Sequence, residues 1–141
     1  MTDDTDLVKV LFCLRRLPSL TPAEFHTHWR DVHGPLVQSR AAAVGIRRYI
    51  QHHGSDVPQP GLERPRAAAA AFDGVAEIWI DRRYLDERLS PEGLEGSRTL
   101  LEDEKRFIDL GASSIFSVES IEFPLAGFSD PAFRPLPNRV P

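Results

Sequence analysis

The sequence predicts an α+β domain in which strands and helices follow the order β-α-β-β-α-β. Three observations predict it. Period-two alternation of apolar residues marks four strands. Two amphipathic stretches with helical spacing sit after the first strand and before the last. The 141-residue length holds one domain with a real core. This order is the split βαβ, or ferredoxin-like, arrangement, with a four-stranded antiparallel sheet.

The first strand spans residues 7–15, with Val8, Val10, Phe12 and Leu14 on one face and Lys9, Leu11, Cys13 and Arg15 on the other. Thr21-Pro22-Ala23-Glu24 is a helix start, with Thr as N-cap, Pro at N1 and Glu at N3. The helix that follows carries an apolar stripe of Phe25, Trp29, Val32 and Leu36, with His26, Arg30, His33 and Val37 along one edge. Gly34-Pro35 is expected to interrupt it just after His33, because proline lacks a backbone donor and disfavours helical geometry at the residue before it. The helix resumes and ends near Gly45. His33 is thereby expected beside a buried Trp at the rim of the core.

The second strand, residues 46–53, puts Arg47, Tyr49, Gln51 and His53 on one face and Ile46, Arg48, Ile50 and His52 on the other. Residues 54–66 hold three prolines and two glycines and read as a loop. The alanine run 67–71 fits either a short helical turn or more of that loop. Residues 74–81 form the third strand, in which Val75, Glu77 and Trp79 alternate with Ala76, Ile78 and Ile80. A helical turn over 84–89 and a segment opened by Ser90-Pro91 precede the second main helix, placed at residues 97–110. Its expected buried stripe is Leu100, Leu101, Phe107 and Ile108, and its wet face runs from Glu102 to Arg106. The last strand covers 113–123. The domain thus occupies residues 1–123, and 124–141 is a tail with five of the 12 prolines.

Two helices cover only one face of such a sheet. The other face is expected to carry Leu11, Tyr49, Val75 and Trp79, which is too apolar for water. A second copy of the chain is the cheapest cover, which predicts a homodimer with an enclosed centre. Lys9, Gln51, His53 and Glu77 would line that centre, as a hydrogen-bonded network or a ligand site.

The formal net charge of −4, from 17 basic and 21 acidic residues, argues against a nucleic-acid footprint. No apolar run approaches a membrane span, and the acidic start MTDDTD lacks a secretory pattern, so a cytoplasmic protein is expected. The single cysteine, Cys13, allows no internal disulfide. No phosphate loop, nucleotide fingerprint or haem-attachment motif is present, and no cofactor or metal is expected. His26 and His28 diverge on a helix; only a cross-element set such as His33, His53 and Glu77 could close on a metal.

The run from Trp29 to Leu36, the pair Arg48-Tyr49, the run from Asp73 to Trp79, and Asp103-Glu104 with Phe107-Ile108-Asp109 together resemble the EthD-like family of the dimeric α+β barrel superfamily. The resemblance covers residues 7–123. It implies a ferredoxin-like subunit, a dimer, and a site between sheet and helix. It implies tailoring of aromatic polyketides or lactone isomerisation, without a cofactor, in secondary metabolism. The loop 54–71 and the tail exceed a minimal member, and both could close over the cavity mouth.

His33 is the first candidate, since an imidazole gives or takes a proton at neutral pH and the family motif centres on it. His53 and Glu77 are expected to orient or complement it; a carboxylate with a raised pKa beside His33 would make an acid/base pair, whereas pairing with Arg47 or Lys9 would be structural. Tyr49 and Gln51 would hold substrate oxygens, and Trp79 and Leu11 would pack a ring. Cys13 is a further candidate lining residue, as nucleophile or as a small buried hydrophobe. Asp73 before Gly74 fits turn chemistry. The predicted function is an acid/base enzyme (isomerase, cyclase, dehydratase or decarboxylase) acting on an oxygenated aromatic, polyketide-like or lactone metabolite. Its rivals are a non-catalytic carrier of a hydrophobic metabolite and an oxidoreductase of the same superfamily.

Overall fold

Strand β1 (Leu7–Leu14) has no exposed residue along its length, as suits a central strand. It pairs antiparallel with β3 (Gly74–Asp81) on one side and β4 (Ser114–Val118) on the other. Strand β2 (Ile46–His53) pairs antiparallel with β3, so the four-stranded sheet has the order β2-β3-β1-β4. This is the ferredoxin-like α+β fold that the element order predicts. The computed structural model describes residues 6–85, 90–127 and 139–140.

The predicted capping box closes the start of helix α1 (Pro22–His28): Thr21 Oγ1 accepts from the Glu24 amide at 3.1 Å and Glu24 Oε1 accepts from the Thr21 amide at 2.9 Å. The expected break at Gly34-Pro35 does not occur. Instead Trp29–His33 forms a π-helical turn that leads directly into helix α2 (Gly34–Val44). Proline fits here because it sits near the start of α2, where its missing amide costs little. The wide turn accommodates an extra residue and shifts the inward positions that follow it. Phe25 and Trp29 are buried as expected, but His33 and Val37 continue the stripe, while Val32 is 48% exposed. Gly45 ends the helix in the left-handed region at φ 81°, as a C-terminal glycine commonly does.

The loop after β2 holds a four-residue helix α3 (Pro60–Glu63) and a 3₁₀ turn (Arg64–Arg66); the alanine run has no regular structure. The turn expected over 84–89 is seen only as a 3₁₀ turn at Arg82–Tyr84, and residues 86–89 lie outside the described set. The second main helix, α4 (Pro91–Glu104), starts earlier and stops earlier than the sequence spacing predicts. Ser90 caps it by accepting from the Gly93 amide at 3.1 Å. Its buried stripe is Gly93, Gly96, Leu100 and Asp103, and Gly96 allows close packing: a Cβ there would meet Val44 Cγ1 at 3.0 Å. Leu101 is exposed, and Phe107 and Ile108 are buried beyond the helix end. Asp103 leaves the expected wet face because it lies three residues after Leu100 on the inward stripe.

The last strand is shorter than predicted; Ser120–Ile121 (β5) pairs in parallel with Arg139–Val140 (β6), and the rest of the tail is largely outside the described residues. The core packs Leu14, Phe25, Trp29, Ala76, Phe107 and Ile108 between helices and sheet. No helix among the described residues is long and apolar enough to cross a membrane.

Candidate functional site

The sheet divides the predicted site residues between its two faces. Tyr49, Gln51 and His53 stand opposite Ile78, Ala76 and Gly74, which places them on the helix-covered side. Leu11, Cys13, Glu77 and Trp79 share the opposite side with Ile50 and His52. The expectation that Tyr49, Gln51 and His53 join Glu77 and Trp79 in one cavity is therefore overturned. From Arg48 to His53 in β2, and along β1 and β3, side chains alternate as the sequence pattern predicts, but alternation does not say which face of one strand aligns with which face of the next. A bulge between Ile46 and Arg48 adds a further twist, turning Ile46 inward beside Tyr49.

Glu77 is buried far from His33 and is not its acid partner. Its carboxylate accepts from Trp79 Nε1 at 2.7 Å and from His52 Nε2 at 3.0 Å. Burial pushes the Glu77 carboxyl up, but those bonds and the charge of Lys9 together hold it below its usual value. The partners are thus Trp79 and His52 rather than Arg47. Lys9 lies 5.1 Å over the Trp79 ring and is itself buried. Asp73 accepts from the Arg16 backbone amide at 2.9 Å, tying together the ends of β1 and β3.

On the helix side, His33 is 5% exposed and its Nδ1 lies 2.8 Å from Asp103 Oδ2. His28, one turn earlier, places Nε2 3.1 Å from Asp103 Oδ1. Because a carboxylate only accepts, both imidazoles donate to it. Burial pushes the Asp103 carboxyl up, and the bonds from His33 and His28 more than reverse this, leaving it below its ordinary range. Burial pushes the His33 imidazole down, against the opposing pull of Asp103. At neutral pH His33 is the neutral tautomer with hydrogen on Nδ1, and Nε2 carries a lone pair.

His33 lines an internal cavity of about 90 Å³ between helices and sheet, together with Trp29, Tyr49, Ile78 and Glu104. Ile46, Ile78, Leu100 and Glu104 also line an adjoining groove of about 530 Å³ that opens past Val10, Ile115 and Phe116. Glu104 thus stands where groove meets cavity. Burial first, and then the negative charge of Asp103, raise its carboxyl from the ordinary 4.5 to about 7. Two neighbouring carboxylates at the end of α4 therefore differ in protonation: Asp103 is ionised by its imidazole donors, and Glu104 holds its proton near neutrality.

A chain of hydrogen bonds runs along the same side. Tyr49 Oη lies 3.1 Å from Trp29 Nε1 and 3.0 Å from Gln51 Nε2. Gln51 Nε2 is also 2.8 Å from the Trp29 carbonyl, and Gln51 Oε1 is 2.8 Å from His53 Nε2. His53 Nδ1 lies 2.7 Å from His26 Nδ1. Burial, the neighbouring His26 and Arg30 lower the His53 pKa. His53 is thus joined to Tyr49 through Gln51 and has no direct bond to His33. Among the described residues no three His, Cys, Asp or Glu side chains are placed to hold a metal ion, and the set His33, His53 and Glu77 is split by the sheet.

Sequence reasoning missed Asp103, Glu104, His28 and His26 as site residues. The available signal for Asp103 was its spacing from Gly96 and Leu100. Glu104 stands beside it in the Asp103-Glu104 pair that carries the family resemblance, but its inward placement depends on where α4 ends, which spacing does not give. His28 was set aside because it diverges from His26, yet that divergence is what aims one at Asp103 and the other at His53.

Against known proteins, the family model described as EthD domain matches residues 17–111. No functionally curated protein matches the sequence. Among solved structures, the chain is similar to an EthD family protein from Bacillus halodurans C-125, at 19% identity and a TM-score of 0.49 over 81% of this chain and 98% of that one. It is also similar to an EthD-like protein from Ralstonia eutropha JMP134, at 16% identity and a TM-score of 0.47 over 79% and 90% of the two chains. A third, described as a dimeric ferredoxin-like protein of unknown function from Thermobifida fusca YX, has 15% identity and a TM-score of 0.44 over 79% and 91%.

Proposed function

The chain belongs to the EthD domain family, and from that premise we propose that it is an acid/base enzyme moving protons on a small, oxygenated, largely apolar molecule. One observation carries the reading: His33 and Glu104 line one cavity, and their surroundings shift them in opposite directions, His33 down and Glu104 up to about 7. A neutral imidazole takes a proton, and a protonated carboxyl gives one. Paired groups whose pKa values are pushed apart are the usual mark of assigned base and acid roles. Asp103 fixes the tautomer by accepting from Nδ1, which aims the basic Nε2 away from it.

The apolar lining of the cavity and groove suits a ring system such as an aromatic, polyketide-like or lactone metabolite, and the reaction class is isomerisation, cyclisation, dehydration or decarboxylation. Tyr49 holds a substrate oxygen. Gln51 and His53 act through Tyr49 rather than on substrate. On the helix-free face the half-buried Leu11, Cys13 and Ile50 support a homodimer, while Glu77 and Trp79 are already buried there within one chain; ring packing by Leu11 and Trp79, the acid/base role of Glu77 and a nucleophilic Cys13 are not part of this reading.

Deuterium exchange at carbons beside the carbonyl tests the reading, using a panel of aromatic ketones and lactones in heavy water followed by proton NMR. Exchange above the buffer rate that falls about 10²–10⁴-fold in His33→Ala supports it. In Asp103→Asn the exchange should fall as well, with binding retained. Exchange that His33→Ala leaves unchanged refutes the assignment, and ligands that bind without any exchange identify a carrier.

A further inference from the structure

The bonding around Gln51 determines which way the Tyr49 hydroxyl points. A backbone carbonyl can only accept, so the Gln51 atom 2.8 Å from the Trp29 carbonyl must be the NH₂ nitrogen. That nitrogen also lies 3.0 Å from Tyr49 Oη. The indole nitrogen of Trp29, a donor only, lies 3.1 Å from the same oxygen. Tyr49 Oη therefore accepts twice. With the amide oriented, Gln51 Oε1 faces His53 Nε2, which must carry hydrogen, so the neutral His53 accepts from His26 at Nδ1. Each link follows from the one fixed by the Trp29 carbonyl.

Two accepted bonds occupy the lone pairs of Tyr49 and leave its own hydrogen without an acceptor among the described residues. Tyr49 lines the same cavity as His33 and Glu104, and on its other side an outer groove of about 490 Å³ shared with Gln51 and Gly34. Gly34 is part of the arrangement: a Cβ there would lie 3.1 Å from Gln51 Nε2 and crowd its approach to the Trp29 carbonyl.

We propose that Tyr49 is an obligate hydrogen-bond donor into the cavity, held so by Trp29 and Gln51, and that the ligand it selects is an enolisable carbonyl compound bound through the oxygen that becomes negative. This rests on the acid/base reading above and names the substrate class for it. His33 Nε2 removes a proton from the carbon next to the carbonyl. The C–H electron pair becomes the C=C bond, and the carbonyl π pair moves onto oxygen, which the Tyr49 O–H binds without transferring its proton. Where a C=C bond adjoins that carbon the product is a dienolate, Glu104 protonates its far carbon, and the electron pair on oxygen returns to re-form the carbonyl. His33 then holds the proton removed, and exchange through water returns one to Glu104, so protons and electrons balance. Donors already aimed at the site of developing charge need no reorganisation during the reaction. Trp29, Gln51 and His53 are positioning residues.

The test uses 4-nitrophenol, whose phenolate mimics an enolate and absorbs in the visible, with nitrobenzene as the neutral control of similar shape. The wild-type protein should take up the phenolate and shift ionisation of the bound phenol to lower pH. Tyr49→Phe should weaken phenolate binding by about 10–100-fold, the range expected for a hydrogen bond to a charged group, and leave nitrobenzene binding unchanged. Gln51→Glu keeps the tyrosine but offers a carboxylate that turns its hydrogen away from the cavity, so the spectral shift should vanish there too. No 4-nitrophenol uptake by the wild type, or equal phenolate binding by wild type and Tyr49→Phe, overturns the proposal. Carbon-proton exchange separates the two readings. Phenolate binding that depends on Tyr49, in a wild-type protein showing no carbon-proton exchange, refutes the acid/base enzyme and leaves the donor standing. Exchange that depends on His33 but survives Tyr49→Phe refutes the donor alone.

Discussion

Replacing Glu104 with glutamine isolates the electrostatic cost of placing a carboxyl at the inner end of the groove. In the folded protein this group titrates near 7, against an ordinary 4.5, because burial and the Asp103 charge both oppose its ionisation. A raised carboxyl pKa means that the folded state holds the proton longer than the unfolded chain. Stability is therefore full below about 4.5 and is lost as pH rises through about 7. At about 1.4 kcal/mol per pH unit, the whole interval amounts to about 3 kcal/mol, after which the curve is flat. Glutamine has nearly the same shape and no charge to lose. Urea unfolding at closely spaced pH values from 4 to 8 should show wild type losing stability relative to Glu104→Gln by up to about 3 kcal/mol. Taking the difference between the two proteins cancels the titrating groups that do not feel the Glu104 charge, and Asp103, which does, is held below its ordinary range and stays ionised over this window. Parallel curves across this range would refute the reasoning and, with it, the assignment of Glu104 as the proton donor.

Three further outcomes are expected. A methyl on Gly74 would lie 2.5 Å from Trp29 Cζ3 and 2.8 Å from the His52 carbonyl, so Gly74→Ala should lower stability by about 1–3 kcal/mol in urea unfolding; a neutral change would mean that Trp29 does not pack against β3 as described. Burial lowers both the buried His33 and the half-buried His53, so NMR titration of the ring nitrogens should place their midpoints below 6.5, and midpoints above it would contradict the surroundings described for these two imidazoles. If a second copy covers the helix-free face, light scattering should give twice the chain mass for wild type and a smaller species for Ile50→Glu, because a charge would replace an apolar contact there; equal masses would place any interface elsewhere.

What the sequence determined alone was local. Alternation located β1, β2 and β3, the Thr21–Glu24 box located the start of α1, and Gly45 located the end of α2, because caps and periodicity act through neighbours a few residues apart. Together with the motifs around His33 and Asp103, those elements were enough for the βαββαβ order and the EthD family. Tertiary structure decided the site. The π turn at Trp29–His33 rotates His33 into the core, and helical spacing cannot foretell a turn that packing against Phe107 and α4 stabilises. The alignment of β2 with β3 decided that Tyr49, Gln51 and His53 face the helices while Glu77 and Trp79 do not. Both are choices between arrangements with the same local pattern, and burial against distant parts of the chain is the energy that separates them.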